Sequence, residues 1–244
     1  MAILVTRPLP DGEATAARLR AKGFEVLLAP MLRFEPVAFH DDFDAQYGAV
    51  VVTSANALRA IEAKLAGSPL LKLPLFAVGE HTADAARAAG FTKVISANSD
   101  AVGLRERIMA GVKAKALKKT SPLLYFTGAD LARDLPGELG ERGFTVVIQT
   151  TYRMVAVPNL PEETRKAFAA DGVEAVLHYS RRSARAFIEA VRGAGVEISA
   201  LSLPQCCLSA GVATVLRDAG ATQVTVASSP DEDALFVALE SATC

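Results

Sequence analysis

Residues 3–37 read ILVTRPLPDGEATAARLRAKGFEVLLAPMLRFEPV, and residues 123–157 read LLYFTGADLARDLPGELGERGFTVVIQTTYRMVAV. With Ile3 laid on Leu123, apolar run meets apolar run, amphipathic stretch meets amphipathic stretch, and Gly23-Phe24 falls on Gly143-Phe144. A short apolar run, a segment of helical period and a second apolar run describe strand, helix and parallel strand. Two further blocks overlay in the same way. AVVVTS at 49–54 lies on AVLHYS at 175–180, and LPLFAVG at 73–79, with the Ala-rich stretch up to Gly90, lies on LPQCCLS at 203–209 and the stretch up to Gly220. Two long copies are too few for a solenoid, so the expectation is an α/β protein of two similar lobes related by pseudo-symmetry.

Within each copy the apolar runs are short and continuous, as in a parallel sheet flanked by helices on both faces. Strands are expected at 3–6, 25–28, 49–53, 75–78, 93–96, 123–126, 145–149, 175–179, 205–208 and 223–226. Gly23, Gly90, Gly143 and Gly220 each follow an apolar-periodic run and read as helix terminators, since glycine accepts the left-handed conformation there at low cost. Ser229-Pro230-Asp231-Glu232-Asp233 reads as a capped helix start with proline in the first turn and acids at the positive dipole end. Residues 31–37 and 151–158 fit neither element. Each is extended in character and ends near a proline, which cannot continue a central strand, so both are expected to be connectors. If both run between lobes, residues 1–36 and 158–244 form one discontinuous lobe and 37–150 the other. The repeat alone also permits two consecutive lobes.

The 244 residues carry 26 Lys+Arg against 27 Asp+Glu, with 51% hydrophobic and 22% charged positions. Such a chain is neither disordered nor a nucleic-acid binder working by bulk charge. The opening MAILVTRP has too short an apolar run for a signal peptide, and no stretch nears the ~18 apolar residues of a membrane span, so no membrane partner is expected. Three cysteines, Cys206, Cys207 and Cys244, make no disulfide framework and no paired CxxC metal site; a cytoplasmic location fits. His40, His81 and His178 stand on different elements, and no metal site is expected from them. Glycine-rich nucleotide fingerprints, a Walker loop, HExxH and GxSxG are missing, and the simple cofactor readings go with them.

What the chain does carry is small, hydroxyl-rich turns where strands hand over to helices. Thr53-Ser54-Ala55-Asn56 and Gly79-Glu80-His81-Thr82 occupy such places in one copy, and Ser180-Arg181-Arg182-Ser183 and Ser209-Ala210-Gly211 in the other. In an open parallel sheet these are C-terminal strand ends, where ligands bind at a topological switch point. Helix N-termini there present free N–H groups to carboxylates or phosphates. Ordinary N-capping explains any single turn equally well. Arg7, Arg133, Arg181 and Arg182 add cations near these turns, pointing to a polyanionic ligand in a cleft.

Taken in order, ILVTRP at the start, TSANAL after a strand, AVGEHTADAARAAG, and Tyr152 in TTYRMV, followed by a degenerate second round of the first motifs, resemble uroporphyrinogen-III synthases over essentially the whole chain. The resemblance implies two α/β lobes joined by a two-stranded connector, with the N-terminal segment swapped onto the C-terminal lobe and the active site in the cleft. It implies a lyase that closes the linear tetrapyrrole hydroxymethylbilane to uroporphyrinogen III. Water is lost, and the last pyrrole ring is inverted through a spiro intermediate without cofactor or metal. It further implies a monomer, with hydroxymethylbilane as partner and room for transient hand-over from the preceding pathway enzyme. Because this substrate closes unaided to the non-inverted isomer, the enzyme acts chiefly by positioning.

Tyr152 matches the family's connector tyrosine and is the catalytic candidate. A phenol with a reference pKa of about 10 remains a proton donor at neutral pH, here toward the departing hydroxyl; packing alone is the competing role. Ser54, Asn56, Gly79, Thr82, Ser180, Arg182, Ser183 and Ser209 carry over as carboxylate-binding positions, with Arg7 and Arg133 as supporting cations. Tyr179 replaces a usual threonine, 208–212 replaces a Gly- and Thr-containing turn, and Thr127 stands where the family often has arginine. Outside the resemblance, two other readings stay open: a two-lobed protein that binds a polyanionic small molecule without turnover, and a nucleotide-dependent α/β enzyme.

Overall fold

Ile3, Leu4 and Val5 have no exposed surface, because the strand they belong to, β1 (Ala2–Val5), is enclosed on both sides within its sheet. The computed structural model describes residues 1–39, 46–115, 117–131 and 133–243; His40 and Cys244 lie outside them. The described chain divides into two units, one formed by 1–34 with 155–244 and the other by 35–154.

In the first unit, β1 is followed by α1 (Asp11–Ala21) and β2 (Glu25–Leu28). The strand β3 (Leu32–Pro36) crosses into the second unit and leads to β4 (Ala49–Val52), α2 (Ala55–Leu65), β5 (Pro74–Ala77), α3 (Glu80–Ala88), β6 (Lys93–Ser96), α4 (Ala101–Lys113), β7 (Leu123–Gly128), α5 (Leu135–Gly140) and β8 (Val146–Ala156), whose last two residues cross back. The chain then completes the first unit with α6 (Glu162–Ala169), β9 (Val173–His178), α7 (Arg181–Gly193), α8 (Glu197–Ser202), β10 (Gln205–Cys207), α9 (Ala210–Asp218), β11 (Val224–Val226) and α10 (Glu232–Ala242).

The first unit's sheet has the order β11-β10-β9-β1-β2 and is parallel throughout. The N-terminal strands therefore sit in one sheet with the C-terminal ones. The second unit's sheet has the order β3-β8-β7-β4-β5-β6. Its pairs from β8 to β6 are parallel. In each sheet the strand order reverses once, between β9 and β1 in one and between β4 and β7 in the other, and these are the switch points.

Both sheets are packed on two faces. In the second unit Val50 and Val52 face one apolar cluster with Leu58, Ile61 and Phe126, while Val51 faces another with Phe76, Leu104 and Ile108. Burying each such side chain contributes roughly 1.5–3 kcal/mol, in keeping with a β4 that is apolar and buried throughout. The four terminator glycines lie at φ +92, +97, +79 and +100°, the left-handed region their side-chain-free backbone permits.

The two extended connectors are themselves strand, 31–37 holding β3 and 151–158 the end of β8, which runs eleven residues without a break to Ala156. No glycine or proline interrupts VVIQTTYRMVA, and its β-branched and aromatic residues favour extended chain, whereas Pro30 separates β2 from β3 in the first copy. Two expectations need correction. The second unit's sheet is not purely parallel. Val37 N donates to Thr151 O at 2.8 Å and Val157 N to Met31 O at 2.9 Å, so numbers rise on β3 as they fall on β8 and the edge pair is antiparallel. Finally, Pro230 precedes α10 instead of entering its first turn: Asp231 is the cap, accepting from Ala234 N at 2.9 Å, and the helix begins at Glu232. Among the described residues, no helix is long and apolar enough to cross a membrane.

Candidate active site

At the switch point of the second unit, a hollow of about 300 Å³ opens at the C-terminal strand ends. Thr53 and Ser54 enter it from the end of β4, Thr127 and Gly128 from the end of β7, Ala101 from the first residue of α4, and Tyr152 from β8. The Thr53 and Tyr125 hydroxyls meet at 3.0 Å on its wall. Such a volume is at the low end of the ~300–1,000 Å³ typical of small-molecule sites, enough for part of a tetrapyrrole.

The backbone around Tyr152 explains its placement. Thr127 pairs with Thr150, but Gly128 pairs with Tyr152, so Thr151 is the extra residue of a bulge. Bulges re-aim side chains. Thr151 is fully buried, its hydroxyl 3.3 Å from Thr127 O and 3.4 Å from Ala57 O. The tyrosine ring then lies over Gly128: a Cβ added there would sit 2.7 Å from its Cζ and 3.0 Å from its Oη. Only glycine leaves room for that ring.

Of the residues expected from sequence, Tyr152, Ser54 and Arg133 line this one hollow. Ser54 caps α2, its hydroxyl accepting from Asn56 N at 3.2 Å. Asn56 lies in the first turn, its amide oxygen accepting from Arg59 at 2.7 Å. Gly79 caps α3 without a side chain, and Thr82 is buried in that helix. Arg133 is bound to Glu138, which also accepts from Arg105 at 2.6 Å. Those bonds, Arg133 first, hold the Glu138 carboxyl below the usual range.

The other expected residues belong to the first unit. Ser180 caps α7, accepting from Ser183 N at 3.0 Å, and Ser183 is buried with its hydroxyl donating to Ser180 O at 3.1 Å. Arg182 is exposed in the first turn. Ser209 caps α9 with no side-chain bond. Ser180→Ala is therefore expected to cost about 1 kcal/mol of stability and Ser209→Ala distinctly less, which parallel denaturant melts will read. Arg7 is held by Glu232 at 3.0 Å and Asp11 at 3.4 Å, and stacks over the Tyr179 ring at 4.7 Å.

Sequence reasoning missed Gly128, Tyr125 and Ala101. Gly128 and Tyr125 lie within a matched block, but a glycine and a mid-strand tyrosine do not stand out among the hydroxyl-rich turns, and Ala101 lies outside every matched block. It also missed His178, which is fully buried at the end of β9. Gln205 donates its amide N–H groups to Ala200 O at 2.8 Å and Leu203 O at 2.9 Å, so its oxygen faces His178 Nε2 at 2.9 Å and accepts from it. Nδ1 has no hydrogen-bond partner among the described residues. Burial depresses the imidazole pKa to about 4, which the Gln205 bond only partly opposes.

Among curated proteins, no sequence match was found. Among solved structures, the chain is similar to uroporphyrinogen-III synthetase from Helicobacter pylori, with 18% identity and a TM-score of 0.67 over 98% of each chain. It is also similar to a mutant uroporphyrinogen III synthase from Thermus thermophilus, with 17% identity and a TM-score of 0.59 over 99% of this chain and 98% of that one. At these identities the likeness concerns the fold. The family described as uroporphyrinogen-III synthase HemD matches residues 13–237, nearly the full length, and on that match the chain belongs to the uroporphyrinogen-III synthase family.

Proposed function

We propose that this chain performs its family's reaction, closing hydroxymethylbilane to uroporphyrinogen III with loss of water and inversion of the last pyrrole ring, and that the switch-point hollow of the second unit holds the reacting end. The supporting observation is the Tyr152 ring seated over Gly128 in that hollow. The phenol hydrogen-bonds the substrate's terminal hydroxyl and gives it a proton as the C–O bond breaks, so that water leaves; the carbon it leaves takes the new bond, and the proton lost from the free ring carbon on final closure returns to the tyrosine. Attack by the substituted carbon of the last ring gives the spiro intermediate whose reopening and reclosure invert that ring.

Little covalent help is needed. A hundredfold preference for the inverted isomer corresponds to only about 2.7 kcal/mol between two closing transition states, within what a positioned substrate supplies. Carboxylate arms find donors at helix N-termini: α3, capped by Gly79, keeps first-turn N–H groups uncovered by any side chain. Ser54, Asn56 and Arg133 are proposed to assist. Hydroxymethylbilane is taken as the partner of a monomeric enzyme. Its tendency to close unaided favours direct hand-over from the enzyme that makes it, and the unpaired, buried Cys206 and Cys207 suit a reducing cytoplasm.

Incubation with hydroxymethylbilane and separation of the product isomers tests the proposal. Uroporphyrinogen III in excess of the non-inverted isomer supports it, whereas the non-inverted isomer alone, at the uncatalysed rate, would leave a binding protein for a polyanion. Because exposed charge pairs are screened by salt, KM is expected to rise severalfold between ~0.05 and ~0.5 M salt. A salt-independent KM would assign the affinity to backbone amides.

A further inference from the structure

The two switch points of this duplicated fold are treated differently. In the second unit, Thr53, Thr127, Leu135 and Ala101 line an open hollow. The overlay sets Tyr179 on Thr53, Arg7 on Thr127 and Thr15 on Leu135. Glu232 opens α10 directly after its aspartate cap, as Ala101 opens α4 after Asp100. All four counterparts are polar, and they converge. Glu232 Oε1 accepts from Thr15 at 2.6 Å, Tyr179 at 2.9 Å and Arg7 at 3.0 Å, while Oε2 accepts from Arg18 at 2.5 Å.

That geometry is how a protein binds a ligand carboxylate: several donors, two of them guanidinium groups, around one pair of oxygens. The Glu232 side chain is only 18% exposed. Burial works against its ionisation, yet the bonds from Thr15, Tyr179 and Arg18 and the charge of Arg7 hold its pKa below the usual range. Burial pushes the Tyr179 phenol upward, so it remains a donor. We infer that the switch-point crevice of the first unit is a carboxylate-binding site filled from within by Glu232, and that it takes a small free carboxylate such as acetate when that side chain is removed. Under the proposed function, one crevice per chain is then open to substrate arms, and Arg7 serves Glu232.

Thermal melts of Glu232→Ala test this without reference to turnover. The variant is expected to melt roughly 4–8 °C below wild type, and about 0.1 M acetate to restore at least half of the loss in a saturable manner, where equimolar chloride does not. Glu232→Gln, whose amide still fills the space, is expected to show no acetate-specific gain. Equal responses to acetate and chloride in Glu232→Ala, or the same acetate response in wild type, overturn the inference. If Glu232→Ala is unfolded in buffer, refolding from denaturant in acetate against chloride reads the same point. Recovery in acetate alone supports the inference; equal recovery, or none in either salt, overturns it.

Discussion

Replacing Tyr152 with phenylalanine is expected to lower kcat about 10²-fold, the usual worth of a positioned proton donor, with KM and the melting midpoint close to wild type. The substitution removes one hydroxyl and leaves the ring over Gly128. Gly128→Ala reaches the same step by another route. Its new Cβ needs the space of the ring, with Cζ only 2.7 Å away, so the phenol must move, and shifts of that order cost about 10²-fold when geometry carries the catalysis. Gly128 is thus a positioning residue. If it acts only through Tyr152, the double variant is no slower than the slower single one, and the two effects fail to add. Single-turnover rates with isomer analysis provide the measurement. Full activity in folded Tyr152→Phe would reduce the tyrosine to packing, and additive losses would give Gly128 a separate role.

Acid is expected to destabilise the protein through His178 well before its carboxylates titrate. The imidazole is buried and neutral, with a native pKa of about 4, against ~6.5 in an unfolded chain. Below about pH 6.5 the unfolded state binds a proton that the native state refuses, so stability rises with pH across this window. It is fully present above pH 6.5 and lost as pH falls toward 4. The total is on the order of 3 kcal/mol, with about 2 kcal/mol of it gone by pH 5. Denaturant melts between pH 7 and 5 measure it. His178→Leu leaves the Gln205 oxygen unsatisfied and should cost about 1–3 kcal/mol at pH 7, but its stability should be nearly flat across that interval. A wild type equally flat would mean that the charged ring finds an acceptor for its Nδ1 proton.

These two residues show where sequence reading succeeds and stops. Periodicity and the overlay locate the strands because a doubly covered parallel sheet demands continuous apolar runs, and Ala49–Val52 supplies one without ambiguity. They also place Ser54 and Arg133 near strand ends, since strand ends follow from strand positions, whereas Tyr152 enters only through the family resemblance. A one-residue bulge does not appear in composition or period, so the pairing of Gly128 with Tyr152 is invisible until the register is known. Arg7 reads as an available cation because its partner lies 225 positions away, and nothing local announces that Glu232 folds back onto it. His178 reads as an unremarkable member of AVLHYS; only the placement of Gln205 opposite it, fixed by two carbonyls, gives the ring its tautomer.

The slot that β1 occupies between β2 and β9 also governs the timing of assembly. The unit made of residues 35–154 is contiguous and can close its sheet while the ribosome is still extending the chain, as domains generally do. The other unit cannot. Its first parallel pair, β1 with β2, emerges earliest yet must wait, with one apolar edge unpaired, until β9 is synthesised about 145 residues after the end of β2. Such a waiting edge invites pairing with a neighbouring nascent chain, so holdase chaperones or slow production should matter most to the recovery of full-length protein, and truncations before β9 should leave a folded middle carrying a sticky N-terminal tail.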